Sequence, residues 1–177
     1  WTKEEVVEFY KAAAKKSTGA KSIQNMAMNN GMNVKLNNSA LEFVIGLAEP
    51  VIKLALKNNS IEFDGITGGY NSLVPSGAES AKAYKEGDKT VLVVTLIQEN
   101  VDEKTIPYHN SRGVGYLNVA SIDLMGMTIT DGEIQYLGSS IMVKINQAGY
   151  VTYAKYTIPL HVYGEGAKGS LSGYAVF

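Results

Sequence analysis

Cysteine is absent from this 177-residue chain, so disulfides, thiolate metal sites and cysteine nucleophiles are excluded. Histidine is scarce, with His109 and His161 the only two. No His-x-x-x-His or His-x-Glu spacing exists, and no metal or cofactor is expected. An excess of either charge is missing too: 16 basic and 17 acidic residues leave a net charge of −1. A nucleic-acid binder needs a basic surplus to displace counterions, so that class is disfavoured. Long apolar runs are lacking, and nothing approaches the ~18 residues that span a bilayer as a helix. Gly-x-Ser-x-Gly elbows and Gly-x-x-x-x-Gly-Lys phosphate loops are also missing.

What is present organises itself by periodicity. Thr2 and Glu5 have the spacing of a capping box, with Trp1 placed to staple onto Val6. Val6, Val7, Tyr10, Ala13 and Ala14 follow at helical spacing, and Ser17-Thr18-Gly19 stops the helix. Residues 20–36 read as extended. Residues 39–57 read as a second helical region, apolar on more than one face and interrupted by Pro50. Glycines then mark a loop around residues 65–77. Strand patterns follow at 80–84, 90–98, 116–124, 128–136, 139–146, 150–162 and 170–177. Glu86-Gly87-Asp88 and Gln147-Ala148-Gly149 read as hairpin turns. Helices followed by hairpin-linked strands predict one α+β domain over 1–177. Its N-terminal helices would pack on a curved, mainly antiparallel, half-barrel-like sheet.

Strand faces carry the sharpest signal. Ile141, Val143 and Ile145 share one face, with Ser140, Lys144 and Asn146 opposite. Tyr156, Ile158, Leu160 and Val162 oppose Tyr153, Lys155, Thr157 and His161. Residues 91–97 are apolar on both faces: Val91, Val93 and Ile97 against Leu92, Val94 and Leu96. Helices cover one side of such a strand, and the other needs a second cover. The expectation is a non-enzymatic domain that binds an apolar small molecule or a partner protein. Val44, Leu47, Val51 and Leu54 of the second helical region would line the site with Leu92, Val94 and Leu96. Tyrosine is abundant, at 11 against four phenylalanines. The alternative is therefore a carbohydrate- or protein-recognition module on a tyrosine-rich sheet face, anchored by Tyr153 and Tyr163.

The segment "IPYHNSRGVGYLNV", residues 106–119, holds His109 and the chain's one arginine, Arg112. A hydrolase would need a carboxylate beside them. Pro107, Asn110, Ser111, Gly113 and Gly115 instead read as a solvated loop crossing between strands.

The chain begins with Trp1 and not Met, as a processed or truncated product does, and removal of an export signal is one natural cause. The capped first helix "TKEEVVEFY" and the closing stretch "ITDGEIQYLGSSIMVKINQAGYVTYAKYTIPLHVYG" (residues 129–164) resemble small exported or envelope proteins and lipoproteins of Gram-positive gut bacteria. The architecture also looks like the half-barrel lipid carriers of bacterial envelopes. That resemblance implies an extracellular or cell-surface location and an apolar cavity beside the helices. It transfers no catalytic residue.

Overall fold

The structure, a computed structural model, describes residues 1–17, 72–102, 104–116, 129–166 and 169–176. The extended pattern at 20–36, the second helical region and the strand pattern at 117–124 lie outside these residues. So do Val44, Leu47, Val51 and Leu54.

Helix α1 (Lys3–Ser17) starts on the capping box its sequence specifies. Glu5 N donates to Thr2 Oγ1 at 3.2 Å, and Thr2 N donates to Glu5 Oε2 at 2.7 Å. The Trp1 ring meets Phe9 edge-on with centroids 5.1 Å apart, and Val6 is wholly buried. At the far end Ser17 Oγ donates to Ala13 O and accepts from Val151 N, so one buried hydroxyl closes the helix and ties it to a strand.

A 3-10 turn (Pro75–Gly77) leads into eight strands: β1 (Ala78–Glu86), β2 (Lys89–Leu96), β3 (Glu99–Asp102), β4 (Ile129–Tyr136), β5 (Ser140–Ile145), β6 (Val151–Thr157), β7 (Pro159–Gly166) and β8 (Gly169–Val176). A short helix, α2 (Asn110–Gly113), lies between β3 and β4. All pairings are antiparallel, and the strands form two four-stranded sheets rather than one. The first has the order β1-β2-β5-β6 and the second β3-β4-β7-β8. The protein is thus α+β, a helix with open antiparallel sheets.

The two sheets are joined by three bent strands. β2 runs into β3, β4 into β5, and β6 into β7, each through one to three linking residues. The ladder continues across the bends: Thr95 faces Ser140 on one side and Glu99 faces Tyr136 on the other, in one register. Leu96 N donates to Ser139 O, and Leu137 N donates to Pro159 O, within the corners. On the next pair the register slips. Ser140 faces Thr157, yet Tyr136 faces Leu160, so the β4–β5 strand carries one extra residue. Gly138, at φ 85°, lies in this bulge and takes the left-handed conformation that other residues adopt only at a cost. The single strand expected at 150–162 is therefore two, bent at Ile158.

Alternation sorts the side chains as the sequence pattern requires. One hydrophobic cluster holds Val6, Val7 and Tyr10 of α1 with Leu92, Val94, Leu96, Ile141, Val143 and Ile145 of the first sheet. Ile134, Tyr136 and Leu160 extend it into the second sheet. Polar ties join α1 to the strands: Lys3 Nζ donates to Ala78 O, and the hydroxyls of Tyr10 and Tyr156 are hydrogen-bonded at 3.1 Å.

Burial, reinforced by Tyr156, holds the Tyr10 phenol well above its usual pKa of 10.0. The unfolded chain releases this proton near pH 10 and the folded one keeps it. The contribution to stability is therefore full below about pH 10 and falls as pH rises above it. Tyr10→Phe should cost about 1 kcal/mol at pH 7 through the lost hydrogen bond. It should also lose less stability than the parent between pH 9 and about 11. Urea unfolding at both pH values checks this.

Candidate functional site

β2 is an interior strand with one face in the hydrophobic cluster. Leu92, Val94 and Leu96, expected to line a ligand site, are 0%, 1% and 0% exposed. Tyr153 lies on the opposite face of the same sheet, and Tyr163 on the second sheet, so the structure does not gather these residues into one patch.

On the second face of β2, Val91 is buried while Val93 and Thr95 are half-buried. The strand pairing arranges this outer face in cross-strand rows. Tyr84, Val91, Lys144 and Tyr153 form one row. Val91 is fully buried although it points away from the core, between Tyr84 at 47% exposure and Lys144. Lys144 Nζ donates to Glu86 Oε1 at 2.6 Å and lies 5.7 Å from the centroid of the Tyr153 ring. The Glu86 hydrogen bond, with Tyr84 and Tyr153 contributing, holds the Lys144 ammonium above its usual pKa. Its aliphatic stem is what a long cation lays over an apolar neighbour. Lys82, Val93, Met142 and Lys155 form the adjacent row, and Ser80, Thr95, Ser140 and Thr157 the next, all hydroxyls. Tyr153 is 45% exposed, so tyrosines half open to solvent stand at both ends of the first row.

Tyr163 stands on the corresponding face of the second sheet, in register with Glu133, which in turn faces Asp102. There Gln135 Nε2 donates to Glu133 Oε1, and His161 Nδ1 lies 3.2 Å from Gln135 Oε1. Of the clustered tyrosines, Tyr136 is core and Tyr156 half-buried against it, which leaves Tyr84, Tyr150, Tyr153 and Tyr163 to the solvent among the strands and their turns. Tyr84 was missed as a site residue. Its odd-even phase with Lys82 across the hairpin to Val91 was the available signal.

The segment around His109 is built differently from a solvated loop. Glu99 Oε1 accepts from His109 N at 2.9 Å, and Glu99 Oε2 accepts from Asn110 N and Asn110 Nδ2, both at 2.7 Å. Asn110 Oδ1 accepts from Ser139 Oγ at 2.6 Å, and both residues are fully buried. A carboxylate does approach His109, but it binds the backbone amide and not the ring. The buried His109 Nδ1 has no hydrogen-bond partner, and it packs so closely on Gly77 that a Cβ there would lie 2.6 Å away. Arg112 folds back on Tyr108, with its guanidinium carbon 3.6 Å from the ring centroid and Nη1 donating to Tyr108 O. The motif thus forms an anchor for the corner between β4 and β5, with no His–carboxylate dyad.

Among the described residues no group of three or more His, Asp or Glu is placed to hold a metal ion, and no helix is long and apolar enough to cross a membrane. The chain matches no protein-family model, and comparisons with curated proteins and with solved structures give no match.

Proposed function

We propose that this is a non-enzymatic recognition domain, exported or carried at the cell surface, that binds carbohydrate through the outer face of the first sheet. The observation that carries the reading is the pair Tyr84 and Tyr153. Each is nearly half exposed, on the opposite edge strands β1 and β6 of a hydrogen-bonded sheet that fixes their separation. An aromatic ring offers a flat apolar surface to the C–H face of a sugar while its hydroxyl stays solvated. The hydroxyl row beside it supplies short donors and acceptors. The sequence resemblance to small envelope proteins of Gram-positive bacteria supports the location. The three bent strands support a half-barrel arrangement in which the N-terminal helices lie against a curved sheet.

Of the residues behind the apolar-ligand reading, Val44, Leu47, Val51 and Leu54 lie outside the described residues, and Leu92, Val94 and Leu96 are buried. The tyrosine face is open to solvent and so is the stronger ground. The test is a glycan array of neutral and charged oligosaccharides probed with the parent chain and with Tyr84→Ala/Tyr153→Ala. Binding should fall about tenfold or more in the double variant, a loss of roughly 1.4 kcal/mol. Retained binding would remove the proposal.

A further inference from the structure

We infer that the glycan recognised by this face is an anionic polysaccharide, its sugar rings bearing carboxylates. This rests on the carbohydrate reading above and specifies its ligand. The first observation is charge. Lys82 and Lys155 stand at opposite ends of one row on β1 and β6, exposed and without an ion pair among the described residues. Lys144 sits in the adjacent row, paired with Glu86, and Glu79, exposed beside Ser80 of the hydroxyl row, is a second acid on β1. The same face continued onto the second sheet carries Asp102 and Glu133. The molecule as a whole is close to neutral, so cations are concentrated on the first sheet by the fold and not by composition.

Spacing narrows the ligand. Strands lie about 4.8 Å apart, so residues on β1 and β6 in one row are separated by roughly 14 Å. A ligand that meets both lysines must extend across the sheet. Single ammonium groups set apart in this way match single charges on rings a few units apart along an extended chain; a compact, doubly charged phosphate would need its donors clustered.

Chemistry of the rest of the face decides between a polysaccharide and an acidic protein. The large apolar side chains exposed here are Tyr84 and Tyr153, with no exposed leucine, isoleucine or phenylalanine beside them. A protein interface centres on a buried apolar anchor in a pocket. Val93 and Met142, between the two lysines, are half-buried. Flat rings, isolated cations and a strip of hydroxyls suit a chain of charged sugars.

The experiment titrates the full chain with polygalacturonate, with dextran as the neutral polysaccharide and poly-glutamate as the acidic polypeptide. Polygalacturonate should bind, and binding should weaken as salt rises from about 50 to 300 mM, since exposed charge pairs are screened over that range. Lys82→Gln/Lys155→Gln should weaken it about fivefold to tenfold, as expected for two exposed pairs, without a change in thermal unfolding. Tyr163→Ala, on the other sheet, should leave it unchanged. Salt-independent binding, an unaffected lysine variant, or equally tight binding of poly-glutamate would overturn the inference. Dextran binding that depends on Tyr153, with none to polygalacturonate, would overturn it while leaving the carbohydrate reading in place. Absence of binding to either polysaccharide, together with a blank array, would sink both.

Discussion

Replacing Glu99 with alanine is expected to destabilise the protein by about 3 kcal/mol, a drop of roughly 6–12 °C in Tm for a chain of this size. The carboxylate accepts three hydrogen bonds, two from backbone amides and one from the Asn110 side chain. Asn110 is fully buried, and among the described residues its side-chain nitrogen has otherwise Ile97 O at 3.5 Å. Removing Glu99 therefore strands donors that water cannot easily reach, and each such donor costs about 1–3 kcal/mol. The losses do not simply add, because all three bonds end on one group and share one local geometry. Glu99→Gln keeps one carbonyl acceptor and should lose less, about 1–2 kcal/mol. Urea unfolding with an unchanged m-value would confirm that the folded state is the one affected. A loss under about 0.5 kcal/mol for the alanine variant would show that the anchor around Asn110 and Ser139 holds without its carboxylate.

Leu92→Ala is expected to cost about 3 kcal/mol, and Val93→Ala about 1 kcal/mol or less, although the residues are adjacent. Leu92 is wholly buried, with Val143 and Ala83 as its cross-strand neighbours. Truncation leaves a void that the surrounding side chains only partly fill. Val93 points to the outer face and is partly exposed between Lys82 and Met142. The contrast separates two roles for Leu92. A side chain bordering a hollow already has empty space beside it, so its loss would cost much less than that of a packed one. Denaturant titration of both variants gives the comparison directly.

Local chemistry made much of the architecture readable in advance. The capping box and the helical spacing from Val6 to Ala14 are short-range features, and α1 starts where they place it. Alternation in β5 separated Ile141, Val143 and Ile145 from Ser140 and Lys144, and burial follows the same division. The turns at Gly87 and Gly149 fall where glycine permits a positive φ. What failed to show was longer in range. The strand β3 is only four residues long, ENVD, with one apolar residue, and nothing in so short a stretch announces an edge strand. The bend at Ile158 left the alternation of the apolar residues intact, so 150–162 read as one strand.

The covering of β2 shows the same limit at the candidate site. A strand apolar on both faces calls for a cover on each, and the sequence states that demand without saying who meets it. Val91 is wholly buried on that second face, in one cross-strand row with Tyr84 and Lys144 of the flanking strands. Likewise Asn110 reads as a loop residue because its type is polar, and polar residues enter a core only when each donor finds an acceptor. Glu99, eleven positions before Asn110, supplies that acceptor.

By itself, then, the sequence determined helix α1, the hairpin turns and the inward or outward sense of most strand residues, because capping, turn geometry and two-residue alternation act between near neighbours. Tertiary structure alone decided that three strands bend to make two sheets. It also decided that Glu99, Asn110 and Ser139 bury together, and that lysines and tyrosines from four strands share one face. Those outcomes depend on cross-strand register, and register is a relation between distant segments that no single segment encodes.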